Sequence, residues 1–326
     1  MNTGIIKGFL FTFVFAVPAW FLGEFFPIIG GPVFGILLGM LAASWKRPEG
    51  FELGIKFTGK KVLQYSIILL GFEMNLFNVL KVGADSLSVM IFTLIAAFVI
   101  ALLGGKVLKI DNNTTILIGA GTAICGGSAI AAVAPVIGAK DKEVAFSIST
   151  IFLFNVLAVF IFPALGHAFN FSDIGFGMWA GTAINDTSSV VAAGYSYSQA
   201  AGDYATIVKL TRALMIVPIC IFLAFATAKN HKSNGSFSIT RIFPYFILWF
   251  VVASIVSTMQ ILPIELTKFL GAAGKFCIIL AMSAIGLNTH IAHLIKNGVR
   301  PIALGLLCWI AVAVVSLIVQ RTIGLV

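Results

Sequence analysis

The sequence predicts an all-α polytopic membrane protein, with about nine crossing helices and two further segments that are re-entrant or broken. Three observations carry this. Of 326 residues, 60% are hydrophobic and 10% are charged, whereas a soluble domain carries about 25% charged residues. So few charges cannot cover a water-facing surface. Apolar runs near the ~18–20 residues that cross a ~30 Å hydrocarbon core recur along the chain. These runs do not alternate apolar with polar residues as barrel strands do, so in lipid their backbone hydrogen bonds must close within helices.

In chain order the expected spans are 5–22, 28–44, 62–80, 87–105, 144–166, 204–227, 242–259, 270–290 and 301–320. The first has no evident cleavage site and is read as a retained span. Trp20 and Trp45 fall near span ends, where aromatic belts sit. The segment Lys46–Lys61 is basic and partly amphipathic, and is expected to lie on the cytoplasmic membrane surface. The formal net charge of +9 does not point to nucleic acid. Its residues (Lys46-Arg47, Lys60-Lys61, Lys106, Lys109, Lys140, Lys142, Lys229 and Lys232) sit between spans, as a positive-inside bias requires. Cys125, Cys220, Cys277 and Cys308 lie in apolar stretches without CxxC pairing, so neither a disulfide nor a metal site is expected. The whole of 1–326 reads as one transmembrane domain.

Two stretches, 113–139 and 174–198, are apolar but interrupted, and they belong to an internal repeat. Residues 120–124 and 180–184 both read Ala-Gly-Thr-Ala-Ile, and the same offset pairs Ser128 with Ser188 and Ala132 with Ala192. The repeat units are 113–166 and 174–227. A weaker repeat at an offset of 215 relates 59–83 to 274–298, matching Gly59-Lys60 with Gly274-Lys275 and Gly71 with Gly286. Such repeats mark secondary transporters, whose halves are often inverted. If each interrupted stretch is a hairpin returning to its own side, Lys140 and Lys142 fall on the cytoplasmic side and both repeats become inverted. If each is instead a broken crossing helix, the same residues still sit at mid-depth.

The chemistry is expected at those interruptions. In the first, Cys125-Gly126-Gly127-Ser128 breaks a helix, freeing backbone N–H and C=O groups that, with Thr122 and Ser128, suit an ion or anionic solute. The second places Asn185, Asp186, Thr187, Ser188 and Ser189 consecutively between apolar flanks. An ionisable group there is a functional candidate, although Asp186 also suits an ordinary helix N-cap. Lys209 and Arg212 share one face of the next helix. Snorkelling accounts for Lys209 but poorly for Arg212, whose expected partners are Asp186, Glu73 or the solute itself. Glu73, Asn75, Asn288 and His290 are candidates for coupling, with ordinary interfacial solvation the competing reading. No cofactor is implied.

The stretches GTAICGGSAIAAVAPVIGAKDKEVAFS, GTAINDTSSVVAAG, GDYATIVKLTR, LLGFEMNL and AIGLNTHI resemble the YeiH-type sulfate-exporter family over nearly the whole chain. That family's name does not establish its substrate. The resemblance implies a panel-and-core architecture of inverted repeats, similar to cation/proton antiporters and anion transporters. It also implies a small anionic solute, sulfate or an organic sulfonate. Many members carry His-Glu where this chain has Asn185-Asp186, which removes any proton role of that His.

The expected function is therefore secondary transport of a small anion across the cell membrane by alternating access. The lipid bilayer and the solute are the expected partners, and a homodimer is left open. No Walker A signature is present, which disfavours a pump of that type. An ion channel, a carrier of a different solute and, further off, an intramembrane enzyme are the rival classes.

Overall fold

The computed structural model describes residues 3–26, 29–45, 47, 50–228, 244–289 and 298–325. Its elements are all helical: α1 (Thr3–Phe25), α2 (Gly31–Ala42), α3 (Phe51–Phe57), α4 (Leu63–Leu70), α5 (Leu76–Val107), α6 (Asn112–Ala123), α7 (Gly127–Ile137), α8 (Asp141–Ala168), α9 (Asp173–Ala183), α10 (Thr187–Tyr197), α11 (Gln199–Leu214), α12 (Ile216–Ala228), α13 (Tyr245–Thr258), α14 (Ile264–Leu287) and α15 (Val299–Thr322). Among the described residues six helices are long and apolar enough to cross a membrane: Gly4–Phe25, Leu76–Val107, Lys142–Ala168, Gln199–Leu223, Ile264–Leu287 and Val299–Thr322.

Two expected boundaries move. The polar-looking 46–61 is not a surface loop throughout, because α3 runs through a π-turn at Thr58–Val62 directly into α4. The expected gap between 80 and 87 is absent. Lys81 and Asp85 ride on the continuous helix α5, and the break comes earlier, at the 3₁₀ turn Gly71–Glu73. Asn75 then caps α5 by accepting from Phe77 N at 2.9 Å. A scan for apolar runs interprets a charge as a loop, whereas here the charges lie on a helix surface and the cap sets the start.

Both interrupted stretches fold back on themselves. At the base of the first, Glu143 Oε2 accepts from Asn113 Nδ2 at 3.0 Å and from Lys140 N at 2.7 Å, tying the start of α6 to the start of α8, where α7 has returned. At the base of the second, Ser198 Oγ donates to Asp173 Oδ1 at 2.5 Å and Tyr197 OH to Phe171 O at 2.5 Å. Gly177 on α9 and Gly194 on α10 both abut Ala201 of α11, so the two arms pass the same level of one neighbouring helix. Such closeness needs missing side chains: a Cβ on Gly177 would lie 2.8 Å from Tyr204 Cβ. The small residues of the repeated motif therefore serve packing as well.

The repeats extend to helix boundaries. An offset of 60 carries α6, α7 and α8 onto α9, α10 and the pair α11–α12, each end agreeing within two residues. An offset of 215 carries α2 onto α13, the stretch from α3 to α4 onto α14, and the end of α5 onto the end of α15, again within two residues. The α3–α4 stretch packs antiparallel on α14: Gly59 abuts Ala284 and Ile285, Gly274 abuts Ser66 and Leu69, and Glu73 lies against Gly271. Gly59 and Gly274, matched in the sequence, thus make mirrored contacts.

Candidate functional site

The two hairpin tips meet at the centre of the chain's buried polar residues. The helix α6 ends at Ala123 and α9 at Ala183, leaving carbonyls with no N–H one turn ahead. Lys209 and Arg212, both 0% exposed, supply the donors from α11. Lys209 Nζ donates to Ile124 O at 2.8 Å, to Ile184 O at 3.0 Å and to Asn185 O. Arg212 donates through Nε to Ala123 O at 2.6 Å, through Nη1 to Ile184 O at 3.3 Å and through Nη2 to Thr122 O. Two cations thus neutralise the negative ends of two half-helix dipoles. No described carboxylate forms an ion pair with either. Arg212 does not reach Asp186 or Glu73, contrary to expectation: the carbonyl ends lie nearer and satisfy its fork. Glu73 pairs instead with Lys275 at 2.9 Å.

The opposite ends of the same breaks point elsewhere. Asp186 is the N-cap of α10, with its carboxylate accepting from Ser188 N at 3.0 Å and from Ser188 Oγ. The capping reading of this residue is therefore what the geometry displays. Helix α7 begins differently. Its N-cap, Gly126, sits at φ 67° and ψ −130° and has no side chain with which to cap the first turn of α7. The two tips nearly touch here: a Cβ on Gly126 would lie 3.3 Å from Asp186 Cβ and 3.4 Å from Asn155 Nδ2.

Both N-termini line one cavity of about 310 Å³. Its polar lining residues are Ser128, Asn155, Asp186, Thr187 and Ser188, with Lys60 and Gln64 from the α3–α4 stretch. Its apolar lining residues are Leu63, Ile67, Ile148, Phe152, Phe246 and Ile285. The expected site residues thus divide into two groups. Gly127, Ser128, Asp186, Thr187 and Ser188 line the cavity. Thr122, Cys125, Gly126, Asn185, Ser189, Lys209 and Arg212 do not; they form or support the buried joint behind it. Arg212 thus lies outside the lining of this cavity. The hydroxyl of Thr122 and both polar atoms of the Asn185 carboxamide are buried without a hydrogen-bond partner. Asn75 is a helix cap, Asn288 ends α14, and His290 lies outside the described residues.

Sequence reasoning missed Asn155, Lys60 and Gln64. Asn155 is 3% exposed and accepts from Asp186 N through Oδ1 at 3.1 Å. A lone amide inside the apolar run 144–166 was the available signal. Lys60 was visible only as one charge in a basic segment; the π-turn that brings it to the cavity has no sequence signature here.

A family model described as Conserved hypothetical protein 698 matches residues 7–305. The chain is 46% identical to a UPF0324 membrane protein of Fusobacterium nucleatum subsp. nucleatum, over 98% of this chain and 99% of that one. It is 48% identical to a UPF0324 membrane protein of Streptococcus mutans, over 98% of both. A third relative, a UPF0324 membrane protein of Streptococcus pyogenes, is 47% identical over the full length of both chains. With the six apolar helices, these likenesses make the chain a multi-pass membrane protein.

Proposed function

The chain belongs to the UPF0324 membrane-protein family, and we propose that it is a secondary transporter moving a small anion by alternating access. The observation that carries this is the cavity at the hairpin tips. Two helix N-termini face it, Lys60 lines it, and two further cations lie buried behind the tips. Asp186 is the one carboxylate in its lining among the described residues. Positive dipole ends at broken helices are how carriers hold anionic groups. Sulfate or an organic sulfonate is the solute class that the family resemblance suggests.

The repeats support alternation. Antiparallel packing of the α3–α4 stretch on α14, and hairpin bases that start on opposite sides, are what two inverted pairs would give. The topology is then nine crossings (α1, α2, α3–α4, α5, α8, α11–α12, α13, α14 and α15) plus two re-entrant hairpins, in one domain. Lys140 and Lys142 would be cytoplasmic, and Lys60 would lie within the crossing α3–α4, at the cavity. Lys60, at the cavity, and Lys275, paired with Glu73, are repeat equivalents. Exchange of their surroundings would turn the site from one side to the other.

Proteoliposomes containing the purified chain test the reading. Labelled anion uptake should saturate and be accelerated by unlabelled anion on the opposite side. Linear flux without that acceleration would make the protein a channel, and a chemically altered product would make it an enzyme.

A further inference from the structure

The cavity's mixed polar and apolar lining bears on what it takes. Its volume, about 310 Å³, lies at the small end of the ~300–1,000 Å³ typical of small-molecule sites. At ~30 Å³ per water, a bare inorganic anion would leave most of it to solvent. The six apolar side chains of its lining gain nothing from facing that solvent. The lining at the start of α7 is suited to receive charge. Gly126 supplies no side-chain cap to α7, and an added Cβ on Gly127 would meet nothing within 4 Å, so a ligand can reach the backbone at Gly127 and Ser128. The second helix N-terminus in the cavity already has its acceptor in Asp186. Asn155 supplies an independent sign. It is 3% exposed and lines the cavity; its Oδ1 is used by Asp186 N, and its Nδ2 donates to no described group. That amide opens into the cavity, where a ligand can take its Nδ2 donor. Ser128, exposed on the first turn of α7, adds a hydroxyl beside it.

Resting on the anion-carrier reading, we propose that the ligand is an organic oxyanion, a carboxylate or sulfonate head on a short hydrocarbon chain, and not inorganic sulfate. The head sits at the start of α7, taking N–H groups there together with Asn155 Nδ2 and Ser128 Oγ. The chain lies along Ile67, Ile148, Phe152 and Phe246. Lys60, exposed at the mouth, draws the anion in without fixing its head.

Isothermal titration of the detergent-purified full chain tests this with acetate, butyrate and hexanoate, the matching alkanesulfonates, and sodium sulfate. Each added methylene should tighten binding about fourfold until the apolar lining is covered, and sulfate should bind more weakly than butanesulfonate. Phe152→Ala should flatten the chain-length dependence while leaving the shortest ligand nearly unchanged; Phe152→Leu, a milder change, serves if the Ala variant does not fold. Asn155→Asp should weaken every anion by a similar factor, because it sets a charge against the head. Sulfate binding as tightly as the longest sulfonate, with no chain-length trend, would overturn the proposal and leave the anion carrier standing. No binding of any anion, together with no anion exchange in proteoliposomes, would overturn both.

Discussion

Replacing Arg212 by Met removes three donor contacts from the joint between the hairpins. The bond from Nε to Ala123 O is 2.6 Å, that from Nη1 to Ile184 O is 3.3 Å, and Nη2 serves Thr122 O. Ile184 O keeps a donor, because Lys209 Nζ also reaches it at 3.0 Å. Thr122 O and Ala123 O keep none, since α6 ends at Ala123. Each buried carbonyl so stranded costs about 1–3 kcal/mol, a gross loss of roughly 2–6 kcal/mol for the pair. Relief from burying a guanidinium returns part of this, so the net loss is expected near the lower end, about 2 kcal/mol. Arg212→Lys keeps the charge but not the planar fork and should fall between. The measurement is unfolding in mixed micelles, followed by tryptophan fluorescence. The decisive version is a cycle with Asp186→Asn, which retains a capping acceptor. Without a bond between the two side chains, their coupling should stay below about 0.5 kcal/mol. Coupling above about 1 kcal/mol would refute the argument that carbonyls, and not Asp186, are the partners of Arg212.

Three other outcomes are expected. Gly126→Ala forces a side chain into φ 67°, ψ −130° and against Asp186; a loss of about 1–3 kcal/mol and slowed anion exchange should follow, and wild-type values of both would show that the tip relaxes freely. Asp186→Ala removes the cap of α10 and should lower stability by about 0.5–2 kcal/mol, whereas Asp186→Ser should recover most of it; equal losses in melting experiments would mean that the charge matters, not the cap. On a background lacking the native cysteines, Lys140→Cys should react with a membrane-impermeant reagent only from the cytoplasmic side and Ser198→Cys only from the outside. Labelling of both from one face would break the inverted topology.

Composition alone determined that this chain crosses a membrane as helices, because so few charges and so many long apolar runs admit no water-covered fold. The repeated Ala-Gly-Thr-Ala-Ile motif likewise located both interruptions, since glycine runs and clustered polar residues disrupt a helix wherever they fall. Single-residue periodicity could not set the limits of α5: Lys81 and Asp85 look like a loop until the helix surface they occupy is known. Nor could it assign partners. Arg212 and Asp186 lie close in sequence pattern and invite an ion pair, yet the tertiary structure offers Arg212 the carbonyl ends of α6 and, 60 residues on, of α9. Helix C-termini are negative and already buried, so they outcompete a carboxylate that is capping its own helix. Asn155 and Lys60 came to the cavity only through packing, from an apolar span and a π-turn far from the motif, because what a side chain faces is set by the helices around it and not by its neighbours in the chain.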